Sequence, residues 1–290
     1  IMANAITLAK TFIPILDKIY KQASLTSVLD GNPELVRQGA SYNEMIIPKI
    51  SMQGLADYSR NGGYVQGGVT MTNETVKCNF DRGRRFDVDI MDDLETAGLA
   101  FGRLSAQFIR DKVVPELDAF RFASYCGISG VTKKEETLAD GAATVAALSA
   151  AVTAMDDEEV TATGRYLFIT PTLLQGINDM DTTKSKKVLE GFEQVIKVPQ
   201  RRFYTAIKQL SGKTGEEAGG YTKATGAANI NFAIVQKDAL IQYTKHAAPK
   251  IIAPENNPDA DAYVFGYRMV GIAKAYKNML SGMYFSHDKA

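Results

Sequence analysis

The sequence predicts an α+β fold, and three observations carry that prediction. A polar β pattern over residues 42–90 feeds straight into a helix-period stretch that opens at Asp92. Helical and buried β segments alternate between residues 140 and 261. The chain then closes in β pattern over residues 262–285. At 290 residues it suits one large unit or two interleaved ones. A chain of this size buries roughly three quarters of its extended surface, so it needs neither disulfide nor metal to fold.

Each element has its own warrant. Ile6, Leu8, Phe12, Ile13, Leu16, Ile19 and Tyr20 make a largely helical pattern with a break near Pro14. Asp30-Gly31-Asn32-Pro33 marks a turn, and Leu35, Val36 and Gly39 read as extended, so the first forty residues form an arm. Residues 42–50 read as a strand that Pro48 sends to an edge or bend. Residues 51–68 are polar and glycine-punctuated. Residues 69–80 return as a threonine-rich strand, which 84–90 prolong. These are the arms of a hairpin about a soft tip. Arms of about 12 residues would each span on the order of 40 Å, more than a lone hairpin stabilises in water. So lean a limb must lie on another surface, and that is the most informative feature of the sequence.

From Asp92 the period changes. Leu94, Ala97, Phe101, Leu104 and Phe108 trace one helical stripe, and Leu99, Ala106 and Val113 a second. A helix over 92–114 is roughly 35 Å long. Pro115 kinks it or opens a second helix through Leu117, Phe120 and Ala123 to Gly127. Residues 129–141 read as a charged loop and 142–155 as an alanine-rich helix. Residues 165–170 read as a buried strand, and 171–177 as a helix with Pro171 in its first position. Lys184-Ser185-Lys186-Lys187 begins a mobile connection, and a Gly/Thr-rich loop covers 211–228. Residues 232–235 read as a strand, 237–243 as a short helix and 250–253 as another strand. Residues 262–285 alternate as strand through Tyr263, Phe265, Tyr267, Met269 and Ile272.

The composition argues against catalysis. Apolar residues at 45% and charged ones at 23% are globular values, and 33 basic against 33 acidic residues leave no net charge. A surface built wholly for nucleic acid is therefore excluded, although a local basic face is not. Cys78 and Cys126 give no disulfide framework. No apolar run approaches the roughly 20 residues of a membrane span. The start, Ile1-Met2-Ala3-Asn4, lacks the features of a signal peptide, so Met2 reads as the initiator of an intracellular, soluble product. His246 and His287 have no metal-ligand spacing around them. No nucleophile elbow, zinc motif or phosphate loop is present. The glycine pairs Gly62-Gly63 and Gly67-Gly68 do not open a helix after a buried strand, so neither is a dinucleotide fingerprint. Asp92-Asp93 reads as a helix cap and Asp156-Asp157-Glu158-Glu159 as a solvated turn. No catalytic, cofactor-binding or metal-ligating residue is assigned.

The order of these parts resembles the major capsid proteins of tailed bacteriophages, the Hong Kong 97-type fold that encapsulin shells share. Three segments carry the resemblance. They are the 42–90 hairpin, with Asn61-Gly62-Gly63 and Gly67-Gly68 at its tip, feeding the 92–114 helix; the alanine-rich helix leading into 165–170 and 171–178; and residues 231–240, 250–254 and 263–285. The resemblance implies an N-terminal arm (1–40), an extended β-hairpin loop with its base (41–90) and a peripheral domain with a long spine helix (91–139). It further implies an axial domain (140–261) and a return to the peripheral domain (262–290). It implies a structural, non-enzymatic subunit that assembles in the host cytoplasm into hexamers and pentamers of an icosahedral phage head around double-stranded DNA. A separate scaffolding protein and a portal are implied partners, a decoration protein is left open, and no membrane is involved.

Tyr58, Arg60, Asn61, Gly62, Gly63, Tyr64, Gly67 and Gly68 are the implied assembly-interface candidates. Arg82, Arg84, Arg85, Lys184, Lys186 and Lys187 are the candidates for non-specific contact with DNA phosphates. Solvated charge or salt bridges between subunits would explain those six equally well. Some relatives lock their shells by an isopeptide bond from a lysine on the extended loop. Here residues 51–68 contain no lysine, and Lys49 and Lys77 only flank them, so the shell is expected to be non-covalent. Alternatives are an encapsulin-like nanocompartment shell packing cargo enzyme, another virion subunit such as a tail or connector protein, and an enzyme built on the carboxylate clusters.

Overall fold

The computed structural model describes residues 24–31, 37–38, 44–91, 106–180 and 183–289. The helical pattern expected over residues 3–20 lies outside these residues. So do Leu35, Val36 and Gly39, and the 92–105 part of the spine helix with Asp92-Asp93.

Strands β1 (Arg37–Gln38), β2 (Glu44–Met52) and β3 (Val69–Lys77) form an antiparallel sheet in the order β1-β2-β3. The β2–β3 register runs from Glu44↔Lys77 to Met52↔Val69, so the hairpin has nine-residue arms of about 30 Å, shorter than the sequence suggested. Pro48 lies past Met45 and Ile46, the β2 residues that β1 pairs with. The second arm ends at Asn79 for a tertiary reason. Its side chain donates to the Ala273 carbonyl and accepts from the Ala273 N–H, each at 2.9 Å. That clamp hands the chain to β4 (Phe80–Asp89), so residues 84–90 belong to another sheet and do not prolong the hairpin.

Residues 106–127 are helical throughout, with a π-turn at Ile109–Val113 ahead of α1 (Val114–Gly127). Pro115 has no N–H to give to a helical carbonyl, and the wider turn before it absorbs the missing bond, so the helix continues across the proline.

Beyond α1 the chain alternates: β5 (Thr132–Glu135), α2 (Gly141–Asp157), β6 (Arg165–Ile169), α3 (Pro171–Asp179), α4 (Thr183–Glu190) and β7 (Gln194–Lys197). Then come β8 (Ile207–Gln209), β9 (Tyr221–Lys223), β10 (Ile230–Gln236), β11 (Leu240–Ile252), β12 (Ala262–Ala275) and β13 (Met283–His287). A five-stranded sheet, β5-β13-β10-β6-β7, is covered on both faces. On one face, Phe122 and Tyr125 of α1 pack on Tyr166, Phe168, Ala233, Val235 and Phe285. On the other, Leu148 and Met155 of α2 and Leu174 and Ile177 of α3 pack on Leu167, Ile169, Phe232 and Ile234. Successive residues of β6 and β10 thus serve opposite layers, which is why both strands are buried at every position. A second sheet, β11-β12-β4, sets Phe265, Tyr267 and Met269 against Ile109, Val114 and Leu117.

A buried polar clasp joins the two units. Asp118, fully buried, accepts from Thr26 Oγ1 (2.7 Å), Ser24 Oγ (2.9 Å), the Leu25 N–H (3.1 Å) and Arg202 (3.2 Å). Arg121 donates to Thr26 Oγ1 and Asp30, and Gln242 donates to the Thr26 carbonyl and Asp30 while accepting from the Tyr125 hydroxyl. Residues 24–30 are thereby stitched to α1, to the turn carrying Arg202 and to β11. Gly31 completes the fit, since a Cβ there would lie 2.6 Å from the Tyr243 ring.

Several other expectations are corrected. The segment holding Lys184–Lys187 is helix α4, because Val188 and Leu189 pack on the α2–α3 core. The helix expected over 237–243 is one 3-10 turn, capped when the Gln236 side chain accepts from the Ala239 N–H. β11 follows at once and runs on through 250–252. The single strand expected over 262–285 is two strands in different sheets, parted by the turn at 276–282. The loops at 129–141 and 211–228 contain β5 and β9. His287, near the end of the chain where order is hard to maintain, is held in β13 opposite Ile230.

Candidate assembly surface

Among the described residues, the hairpin is anchored at its base. Val76 packs with Ile241, Tyr243 and Ile272 of the β11–β12 sheet, and Lys245 Nζ donates to the Glu44 carbonyl at 3.0 Å. Past that point it leaves the body. Among the described residues, the large apolar side chains left exposed are Met52, Leu55, Tyr58, Tyr64, Val65, Val69 and Met71 on this hairpin, and Met91 and Met279 elsewhere. Tyr64 is 89% exposed and Val69 71%. Scattered exposed apolar side chains are ordinary, whereas a concentration on one protruding element marks a contact surface.

The tip is nonetheless shaped. Ser59 and Gly63 exchange backbone hydrogen bonds of 2.8 and 3.3 Å, the Gly62 N–H donates to Ser59 Oγ at 3.1 Å, and Gly68 N–H donates to Gln53 Oε1 at 3.1 Å. Gly63 sits at φ +73°, a conformation that favours glycine. The Tyr58 and Tyr64 rings meet at 4.9 Å, forming an aromatic knob. The eight interface candidates are therefore brought together: Tyr58, Arg60, Asn61, Gly62, Tyr64, Gly67 and Gly68 are exposed and Gly63 is half-buried. Asp57 and Arg60 are the only charges in residues 51–68, so a partner surface gains chiefly by burying apolar area.

The six basic candidates are not brought together. Arg82 donates to Glu116 at 2.8 Å and to the Leu210 carbonyl at 2.7 Å, and Arg84 donates to the carbonyls of Glu217 and Ala218. Both tie the 210–220 loop to β4. Arg85 pairs with Asp87 at 2.8 Å. Lys184, Lys186 and Lys187 lie on α4, where the Lys187 side chain is exposed. No group of three or more His, Cys, Asp or Glu residues among those described could hold a metal. Burial pushes the Cys126 thiol up to about 11, so it stays protonated. Among the described residues, no helix is long and apolar enough to cross a membrane.

One feature escaped the sequence. A cleft of about 1240 Å³ opens between β4, the π-turn and the 199–223 segment, with Phe80, Phe108, Tyr267 and Met269 on its wall and Arg110, Lys112, Arg201 and Lys223 among its lining. Four separate segments supply these groups, so no local motif announces it.

Solved structures match nearly the whole chain. A virus-like particle from Pyrococcus furiosus has a TM-score of 0.60 at 11% identity, covering 96% of this chain and 99% of that one. A structure from Gordonia phage Cozz also scores 0.60 at 11%, covering 92% and 87%. The capsid structure of cyanophage P-SCSP1u scores 0.54 at 13%, covering 88% and 86%. The chain has the fold of a capsid shell subunit. No protein-family model matches the sequence, and neither does any curated protein. For a capsid fold, the free hairpin is the element that most needs an explanation outside its own molecule.

Proposed function

We propose that this chain is the major capsid protein of a phage head, a structural subunit that assembles through hexamers and pentamers into an icosahedral shell around double-stranded DNA. One observation carries the reading: a nine-residue-armed hairpin presents a shaped apolar tip to solvent. Such a tip is covered when it lies across a neighbouring copy. Contacts between unlike patches of identical chains close into rings, and moderate contacts repeated around many neighbours sum to a stable particle. The arm, extended loop, peripheral and axial domains follow the assignments given above, with a scaffolding protein and a portal as partners during assembly. The lysine-free tip supports a shell without covalent cross-links. Packaged DNA would meet the wall through phosphate contacts, for which exposed Lys187 is the best placed of the basic candidates.

A shell holding protein cargo is the second reading, favoured by the 96% and 99% coverage with the Pyrococcus furiosus particle. Electron microscopy of the expressed chain tests both. Closed particles, running as intact monomer on denaturing gels, are the expected result. Ladders of linked chains would remove the non-covalent part, and a chain that never associates under assembly conditions would overturn the shell reading. Particles purified from infected cells contain DNA under the first reading and a protein cargo under the second.

A further inference from the structure

We propose that the cationic cleft receives the Asp156–Glu159 turn of a second copy, making a charged contact that closes the ring of subunits. The inference rests on the shell reading and adds to it a named pair of patches.

The cleft has an excess of positive charge. Lys112 and Arg201 are exposed and have no acidic partner among the described residues, Arg110 has only a long exposed contact of 3.4 Å to Asp111, and Lys223 lies 5.5 Å over the Tyr204 ring. Glu116, the other carboxylate in the lining, is already held by Arg82. The site is also concave, with an apolar aromatic wall. That shape suits a protruding protein turn with an apolar shoulder.

The turn after α2 has the complementary charge and shape. Asp156 is held by buried Arg165 at 2.7 Å, but Asp157, Glu158 and Glu159 are exposed and have no basic partner among the described residues. The Glu159 N–H donates to the Asp156 carbonyl and the Val160 N–H to the Met155 carbonyl, so the carboxylates project from a defined turn beside partly buried Val160.

Topology makes the contact intermolecular. The turn closes the α2 layer on one face of the five-stranded sheet, whereas the cleft is lined by β4, β12, the 199–223 segment and the start of α1, the helix that covers the other face. A chain cannot fold its own turn into its own cleft across that sheet, but copies arranged head to tail can. In a chain without net charge, segregating the two signs onto opposite sides favours that arrangement over like-to-like pairing.

Charge reversal on full-length chains tests this. Variant A carries Asp157→Lys and Glu158→Lys; variant B carries Lys112→Glu and Arg201→Glu. All four positions are exposed, and circular dichroism verifies the fold of each variant. Sedimentation and native mass spectrometry should show each variant alone losing rings by at least tenfold in yield at 0.1 M salt. Mixing A with B should restore them, because A's turn fits B's cleft and B's turn fits A's cleft. Only rings with an even number of subunits can alternate in this way, so the mixture should yield hexamers without pentamers. Rings from either variant alone at wild-type yield would overturn the proposal, and so would a mixture that stays unassembled or forms pentamers. If variant B assembles normally but retains less DNA, the cleft serves nucleic acid and the proposal falls. A wild-type chain that forms no rings at all would instead count against the shell reading.

Discussion

Glu159 breaks two local rules at once. It is a non-glycine residue at φ +57°, and it ends a run of four carboxylates at the negative end of the α2 dipole. Arg165 offsets part of this by donating to the Val160 and Thr161 carbonyls beyond the helix while pairing with Asp156. Glu159→Gly should therefore stabilise the isolated chain by about 1 kcal/mol in thermal melts, through relief of the left-handed backbone. Asp118 is the opposite case, since its carboxylate is fully buried and satisfied by several donors. Asp118→Ala leaves Arg202 and the Thr26 hydroxyl without their acceptor, and should cost about 3–5 kcal/mol in denaturant melts. Cys126, with its thiol pushed up to about 11, is roughly one part in a thousand thiolate at pH 8. It should resist iodoacetamide in the folded chain and react once the chain is unfolded. Asp81 sets an acid limit of modest size. Arg268 donates to both its oxygens, at 2.9 and 2.7 Å, and lowers its carboxyl from the usual range. A lowered folded-state value contributes stability above the unfolded carboxylate range, and that stability fades as pH falls through the folded value. Asp81→Asn should therefore flatten the acid limb of a stability–pH curve.

At the scale of elements, the hairpin and the body are separable. The described hydrogen bonds of residues 53–68 are internal to the tip, and Met52 directly faces Val69 across the ladder. A two-residue Asn-Gly turn can therefore replace residues 53–68 without disturbing the register. The trimmed chain should keep its unfolding free energy within about 0.5 kcal/mol of the parent in denaturant melts and lose assembly by sedimentation. The elements that were hard to read from sequence share one cause. Asn79 ends the hairpin by bonding to Ala273, far away in sequence, and Gln242 lies in a strand alongside partners at Thr26, Asp30 and Tyr125. Residues 262–285 keep one alternation through two strands that happen to serve different sheets. Local periodicity reports which face is buried, and it does not report which partner buries it.

For the whole molecule, the limb was legible as two β-pattern segments about a glycine-punctuated stretch, and its tip residues Tyr58–Tyr64 and the glycine pairs are continuous in sequence. The cleft was not legible, because Arg110, Lys112, Arg201 and Lys223 meet only after the π-turn, β4 and the 199–223 segment pack. The arginines at 82 and 84 looked free in a basic run, yet backbone carbonyls of a distant loop take up their donors. The central claim is that the hairpin tip is completed by another copy of the chain. Hydrogen–deuterium exchange on residues 44–77, compared between the unassembled chain and purified particles, tests it most directly. The account predicts fast exchange at 53–68 in the free chain and slowing by at least tenfold on assembly, larger than any change in β6 or β10. Equal exchange at the tip in both states would contradict it.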